Sequence, residues 1–267
     1  MKIGLSLSGG AARGLAHIGV IEVLEEHGIP VDVMTGTSMG AIIGAAYAAG
    51  RTAGELRAEA LELGWDKMAP LIDINPFQPS GIFGIRRVKR KLRSLMGDPD
   101  FTDLKKPFAC VATDIFTGEA VVLSTGKVVD AVLASMALPL IFKVPKMGRR
   151  YLVDGGITNP LPAGVCREMG AEKVIGVNVL KHLVMPVDKR SGTGVIARPP
   201  NIFHVLSQVI YIASGHLAEA GAKESDVAIE PDMSGIHLAD FHLAEKAIGC
   251  GRQATHQRLK ELGHLVQ

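Results

Sequence analysis

Apolar positions along the chain follow two periods. Short β-branched or continuous apolar runs at 3–7, 31–35, 107–115, 119–124, 151–153, 173–179 and 227–230 predict strands. Longer stretches with helical spacing separate most of them. Leu15, Ile18, Ile21 and Leu24 recur every third position, which predicts a helix over 15–27 stopped by Gly28 and Pro30. Residues 41–49 form an alanine-rich helix pattern closed by Gly50. Thr52-Ala53-Gly54-Glu55 is a capping-box signature that opens a helix to about Gly64. Further helices are expected over 128–138 before Pro139, over 162–169, over 202–222 and over 241–262. The runs at 107–115 and 119–124 meet at Phe116-Thr117-Gly118, so they predict a hairpin with Asp114 as a turn residue. Strands alternating with helices point to an α/β protein.

Two stretches break both patterns. Residues 66–84 carry Pro70, Pro76, Pro79 and Gly81 and predict a surface loop. Residues 181–201 carry Pro186, Gly192, Gly194, Pro199 and Pro200 and predict a mobile loop near the pocket, with the character of a lid. Between the first loop and the hairpin lies an amphipathic helix. Ile85, Val88, Leu92 and Leu95 line one face, and Arg86, Arg87, Lys89, Arg90, Lys91 and Arg93 line the other.

Composition adds to this picture in three places. Hydrophobic residues make up 47% of 267 positions and glycines number 31, which suits one large α/β domain with many tight turns. The formal net charge of +2 conceals an asymmetry, because the basic helix leaves 23 basic against 27 acidic residues elsewhere. A solvated face is the ordinary role of such a helix; contact with an anionic membrane is the sharper one. No nucleic-acid motif or aromatic interleaving accompanies it, so nucleic acid is not an expected partner. Cys110, Cys166 and Cys250 are odd in number and far apart, and are expected to be buried reduced thiols of a cytoplasmic protein. The opening residues are too short an apolar stretch for a signal peptide, and no run approaches about 18 apolar residues.

Candidate chemistry centres on Gly36-Thr37-Ser38-Met39-Gly40, a Gly-x-Ser-x-Gly turn between a strand and a helix. Such an elbow exposes Ser38 Oγ at a helix N-terminus, where the dipole favours developing negative charge. The preceding strand feeds another glycine-rich turn, Ser8-Gly9-Gly10-Ala11-Ala12-Arg13-Gly14. Ala11 breaks the dinucleotide pattern Gly-x-Gly-x-x-Gly, and Leu15 stands where a phosphate-binding loop needs lysine. An oxyanion hole built from the N–H groups of Gly9, Gly10, Ala11 and Ala12 remains open beside a plain turn. If the two strands are parallel, both turns lie at one carboxyl edge of the sheet. His17 and His27 are expected to be structural. Asp154, at the end of a short strand and followed by Gly155 and Gly156, could accept the Ser38 proton, provided that desolvation raises its basicity.

The segments Ser8–Val20, Gly36–Ala41 and Asp154-Gly155-Gly156, in that order, resemble the patatin-like phospholipases, in particular their small single-domain bacterial members. The likeness covers about residues 3 to 180. It implies a three-layer α/β/α sandwich with a mostly parallel sheet, a single domain over 1–267, and C-terminal helices from 202 packing on the core. It also implies a Ser38–Asp154 dyad without histidine, acting on acyl esters of lipids with no cofactor and no metal. Residues 134–142 correspond to the family stretch that lines the acyl pocket. Ala11 stands where many relatives carry glycine, and a positive φ there would strain an alanine. A peripheral position at the inner face of the membrane would suit such an enzyme.

Two other readings compete. The first is a Ser–His acyl hydrolase or acyl-carrier transacylase. An α/β-hydrolase elbow normally follows several strands, whereas Ser38 follows only one earlier βα unit. The second is a regulatory or membrane-bound adaptor with a vestigial site, against which stand the intact Ser38, Asp154 and glycine loop.

Overall fold

The computed structural model describes residues 1–62, 85–139, 141–181 and 202–266. The loop expected at 66–84 and nearly all of the expected lid lie outside the described residues. Strands β1 (Ile3–Leu7), β2 (Val33–Thr37) and β3 (Phe108–Asp114) run parallel side by side. On the other side of β1 come β7 (Lys173–Val177) and β8 (Val227–Ile229), also parallel. The hairpin strand β4 (Ala120–Leu123) and strand β6 (Arg150–Asp154) pair antiparallel with β3, and the two-residue β5 (Lys146–Met147) pairs with β6.

Side-chain alternation divides this mixed sheet into two packed faces. Leu5 and Leu7 of β1, Met34 of β2 and Ile175 of β7 join the main core. That core is covered by α1 (Ala16–Glu26), α2 (Met39–Ala48), α3 (Ala53–Leu61), α4 (Ile85–Met96), α5 (Val128–Ser135) and the C-terminal α8 (Ala244–Val266). On the opposite face Val33, Val174 and Cys166 pack together, and Val165 packs with Ala109 and Val111. This face carries α6 (Ala163–Glu168) and the long α7 (Ile202–Glu224). The molecule is a three-layer α/β/α sandwich. Among the described residues no helix is long and apolar enough to cross a membrane.

Most predicted elements stand within a few residues of their expected bounds. Strand β2 moves furthest in meaning. It was expected over 31–35, yet parallel pairing extends through Leu7↔Gly36 and Thr37↔Val111. Ser38 therefore follows directly on the strand. Thr52 and Glu55 make the reciprocal capping box. In the basic helix Val88 and Leu92 are buried as its pattern predicts, whereas Leu95 is only half-buried and Met96, one position on, takes the buried place. Lys89, Lys91 and Arg93 form ion pairs with Asp130, Glu59 and Asp98, while Arg86, Arg87 and Arg90 are exposed. Cys110 and Cys166 are buried free thiols; Cys250 corrects the expectation, being only half-buried because its helix turns that side toward the surface.

The C-terminal helix α8 packs against α1 through two glycines. A Cβ at Gly251 would collide with the Ala16 carbonyl, and one at Gly19 with the Ile248 carbonyl. Arg252 adds ion pairs to Glu22 and Glu26 of α1. Gly251→Ala should lower unfolding free energy by about 1–3 kcal/mol, because backbone cannot yield to the new methyl. Gly249→Ala, which meets nothing within 4 Å in the same helix, should gain roughly 0.5–1 kcal/mol. Urea unfolding of the two variants measures the contrast.

Candidate active site

Both turns leave the carboxyl edge of the sheet, and close backbone approach presses them together. A Cβ on Gly40 would collide with the carbonyls of Leu7 and Ser8, and one on Gly36 with Gly40 itself. Gly14 leaves room for the Met39 side chain. These glycines are small because α2 sits directly on β1 and on the turn that follows it. A Cβ built on Gly9 would lie 3.4 Å from Ser38 Cβ, which sets the glycine-rich loop beside the serine.

Ser38 has φ 53° and ψ −118°, a left-handed strain that turns its Oγ out of the strand-to-helix corner. Its carbonyl accepts from the N–H groups of Ala41 and Ile42, starting the helix. Its own N–H donates to Ser135 Oγ at 3.0 Å, and that hydroxyl donates to Val111 O at 2.6 Å. Ser38 Oγ donates to Asp154 Oδ2 at 2.7 Å.

Asp154 is only 3% exposed and is fixed through every polar atom. Its N–H donates to Ala137 O, its carbonyl accepts from Thr113 Oγ1, and its Oδ1 accepts from Gly156 N–H at 2.8 Å. Burial pushes its pKa up to about 6, although the hydrogen bonds from Ser38 and Gly156 pull the other way. A carboxylate of that basicity, within 2.7 Å of a hydroxyl, can receive its proton. Gly155 and Gly156 are confined too. A Cβ on Gly155 would strike Val111 O, and Gly156 O accepts from Ser214 Oγ of α7 at 2.6 Å.

The loop at residues 9–14 uses some of its donors internally. Gly9 N–H donates to Pro160 O at 3.0 Å and Ala12 N–H to Leu238 O at 3.1 Å. These two expected oxyanion donors are therefore occupied, and the expectation narrows to Gly10 and Ala11. Among the described residues neither of their N–H groups has a hydrogen-bond partner, and the same holds for Met39 at the start of α2. Gly10 has φ 148° and Ala11 φ 47°, so the alanine does occupy the left-handed region in which it is strained. Arg13 holds the loop: its Nε donates to Ile236 O at 2.8 Å, its Nη1 is buried without a hydrogen-bond partner among the described residues, and burial lowers its pKa.

Buried His17 donates Nε2–H to Ser8 O at 2.8 Å, and burial pushes its pKa down to about 4. Among the described residues no histidine is hydrogen-bonded to Ser38 or Asp154. Three nearby residues escaped the sequence reading. Ser135 sits in the stretch matched to a pocket wall, yet it props the Ser38 amide. Ser214 ties α7 to the Asp154 turn. Tyr211, one turn earlier on α7, is buried; its hydroxyl has no hydrogen-bond partner among the described residues, and burial and the Asp154 charge push its pKa up. A tyrosine in an apolar helical stretch looks like core, so no sequence signal marked it.

Comparison with known proteins bears on the fold and the family. The family described as patatin-like phospholipase matches residues 5–167. An NTE family protein of Mycobacterium tuberculosis is 32% identical over 283 aligned residues, covering 100% of this chain and 48% of that protein. Human patatin-like phospholipase domain-containing protein 6 is 39% identical over 187 residues, covering 66% of this chain and 13% of that one. The chain thus spans about half the length, or less, of these relatives. Among solved structures, VipD from Legionella pneumophila superposes with a TM-score of 0.54 at 15% identity, over 97% of this chain and 66% of that one. The type III effector protein ExoU gives 0.53 at 14%, over 97% and 53%. With its two glycine turns, its sandwich and a family match over more than half of its length, the chain belongs to the patatin-like phospholipase family.

Proposed function

We propose that this protein is a serine acyl hydrolase that cleaves carboxylic esters of lipids through a Ser38–Asp154 dyad. The observation that carries the reading is the 2.7 Å hydrogen bond from Ser38 Oγ to a carboxylate whose pKa burial has raised to about 6. Ser38 Oγ attacks the ester carbonyl carbon as its proton passes to Asp154 Oδ2. The carbonyl oxygen becomes an oxyanion, held by the N–H groups of Gly10, Ala11 and Met39. Collapse breaks the bond to the alcohol, which leaves with the proton from Asp154, and Ser38 carries the acyl group. Water then gives a proton to Asp154 and attacks the acyl carbon; the carboxylic acid departs as Ser38 recovers its proton. Met39, Gly36, Gly40 and Gly14 shape the elbow, and Gly155 and Gly156 allow the turn that aims Asp154.

Ser38→Ala and Asp154→Asn should each lower turnover of a short p-nitrophenyl ester by about 10²-fold or more, with folding checked by circular dichroism. A fluorophosphonate should label the wild-type protein at Ser38. Wild-type turnover after Asp154→Asn, together with loss of turnover on replacing one histidine in a folded variant, would overturn the dyad.

The raised pKa of Asp154 gives two pH effects. The base works only when unprotonated, so kcat/KM should fall below an apparent pKa near 6. In the folded protein the carboxyl binds its proton more tightly than in the unfolded chain, whose value is 3.8. Stability is therefore lost as pH rises from about 4 to about 6, by an amount on the order of 3 kcal/mol. Asp154→Asn escapes this loss, so its advantage in Tm over wild type should be larger at pH 8 than at pH 4.

The cationic helix contributes membrane attraction in this reading. Arg86→Glu with Arg90→Glu should weaken sedimentation with anionic vesicles and strengthen with nothing else; unchanged binding would remove the helix from the mechanism.

A further inference from the structure

The hairpin tip between β3 and β4 carries the most exposed large apolar side chain among the described residues. Phe116 is 80% exposed and Ile115 is 49% exposed. Phe116 stands edge-to-face on Tyr151, with ring centroids 5.8 Å apart, and Tyr151 is itself 39% exposed. Nothing in the tip's own turn requires these side chains. Asp114 Oδ1 accepts from the N–H groups of Phe116 and Thr117, and Gly118 takes the positive φ, so serine at 115 or 116 would serve the turn as well.

The position of this tip gives it meaning. Thr37 pairs with Val111 and Asp154 with Ala112, so Ser38 and Asp154 lie level with Ala112 on β3. Ile115 is three residues further along the same strand direction, about 10 Å beyond them at the same edge of the sheet. Its N–H still pairs with Tyr151 O at 3.0 Å, so the tip is a rigid extension of the sheet.

Cations surround this apolar point. Lys146 holds its ammonium 5.4 Å from the centre of the Tyr151 ring. Lys143 and Arg149 are exposed on the same connection. Arg150 is partly offset by Asp114 and Glu119. Lys146 and Lys143 also line an open cavity of about 400 Å³ with Lys89 of α4, Asp130 and Phe142. That cavity joins the hairpin side of the molecule to the basic helix and includes neither Ser38 nor Asp154 in its lining. Exposed aromatic and aliphatic side chains ringed by lysine and arginine match the layering of an anionic lipid surface, apolar below and charged above. A lipid surface also explains why the apolar point stands at the same edge of the sheet as Ser38 and Asp154.

Resting on the lipid-ester reading above, we propose that Ile115, Phe116 and Tyr151, flanked by Lys143, Lys146 and Arg149, form the face that docks on an anionic lipid–water interface and turns the Ser38 edge toward it.

The test uses the full chain and a readout that does not depend on turnover. Flotation with vesicles of phosphatidylglycerol and phosphatidylcholine is compared with vesicles of phosphatidylcholine alone. Ile115→Ser with Phe116→Ser should lower vesicle binding and hydrolysis of vesicle lipid at least tenfold. Turnover of soluble p-nitrophenyl butyrate should stay within twofold, which also shows that the variant is folded. Lys143→Glu, Lys146→Glu and Arg149→Glu together should reduce the preference for anionic vesicles, leaving the part that the Arg86 and Arg90 helix contributes. Wild-type flotation of the serine variant overturns the proposal, as does a change in oligomeric mass by light scattering with flotation unchanged, which would make the tip a contact between copies. If wild type floats but hydrolyses no ester, the lipid-hydrolase reading fails while the docking face stands.

Discussion

Asp154 keeps a carboxylate out of water with two donors, the Ser38 hydroxyl and the Gly156 N–H, and among the described residues no cation hydrogen-bonds to it. With so few donors the charged form is costly, which raises the pKa, and that environment lasts only where the frame keeps water and compensating groups from moving in. The frame supplies that rigidity. Thr113 and Ala137 hold the Asp154 backbone from β3 and from the end of α5, and Ser214 fixes the following turn from α7. The sheet and both helical layers thus converge on one side chain. Its basicity is a property of this enclosure rather than of a charged neighbour.

Backbone strain is concentrated at the same place. Among the described residues the only non-glycine positions with positive φ are Ala11 and Ser38, one in each of the two turns that meet at the site. Such conformations cost roughly 1–3 kcal/mol each and persist where neighbours over-determine them. At Ser38 the neighbours are the Ser135 hydroxyl and the first turn of α2. At Ala11 they are the flanking bonds from Ala12 N–H to Leu238 O and from Arg13 to Gly10 and Ile236. The alanine keeps a glycine-like conformation because the loop is tied on both sides of it.

The alternation of strands and helices and the position of Ser38 were legible because their signals are local, whereas the three-layer sandwich and the pairing of Asp154 with Ser38 rested on three motifs recurring in a familiar order. A β-branched run followed by Gly-x-Ser-x-Gly carries its own turn geometry, and the capping box at Thr52 needs only four adjacent residues. What stayed illegible depends on partners distant in sequence. No pattern in residues 9–12 tells which N–H groups are spent, since Pro160 and Leu238 provide the acceptors. The end of β2 follows from register with β1 and β3, so the residues of β2 alone place it two positions early. Ser135 and Tyr211 were absorbed into apolar stretches for the same reason: the bond from Ser38 N–H to Ser135 and the nearness of Tyr211 to the Asp154 charge arise only in the folded protein.

The tether from Arg13 to Ile236 joins positions 223 residues apart. During synthesis both the serine and the aspartate leave the ribosome well before that acceptor exists. A nascent chain ending near residue 230 therefore contains Ser38 and Asp154 but lacks the Ile236 and Leu238 carbonyls that tie the glycine loop, and the helix that packs on α1. The glycine-rich loop therefore takes its final form only after residues 236 and 238 have been made, long after both partners of the Ser38–Asp154 hydrogen bond are present.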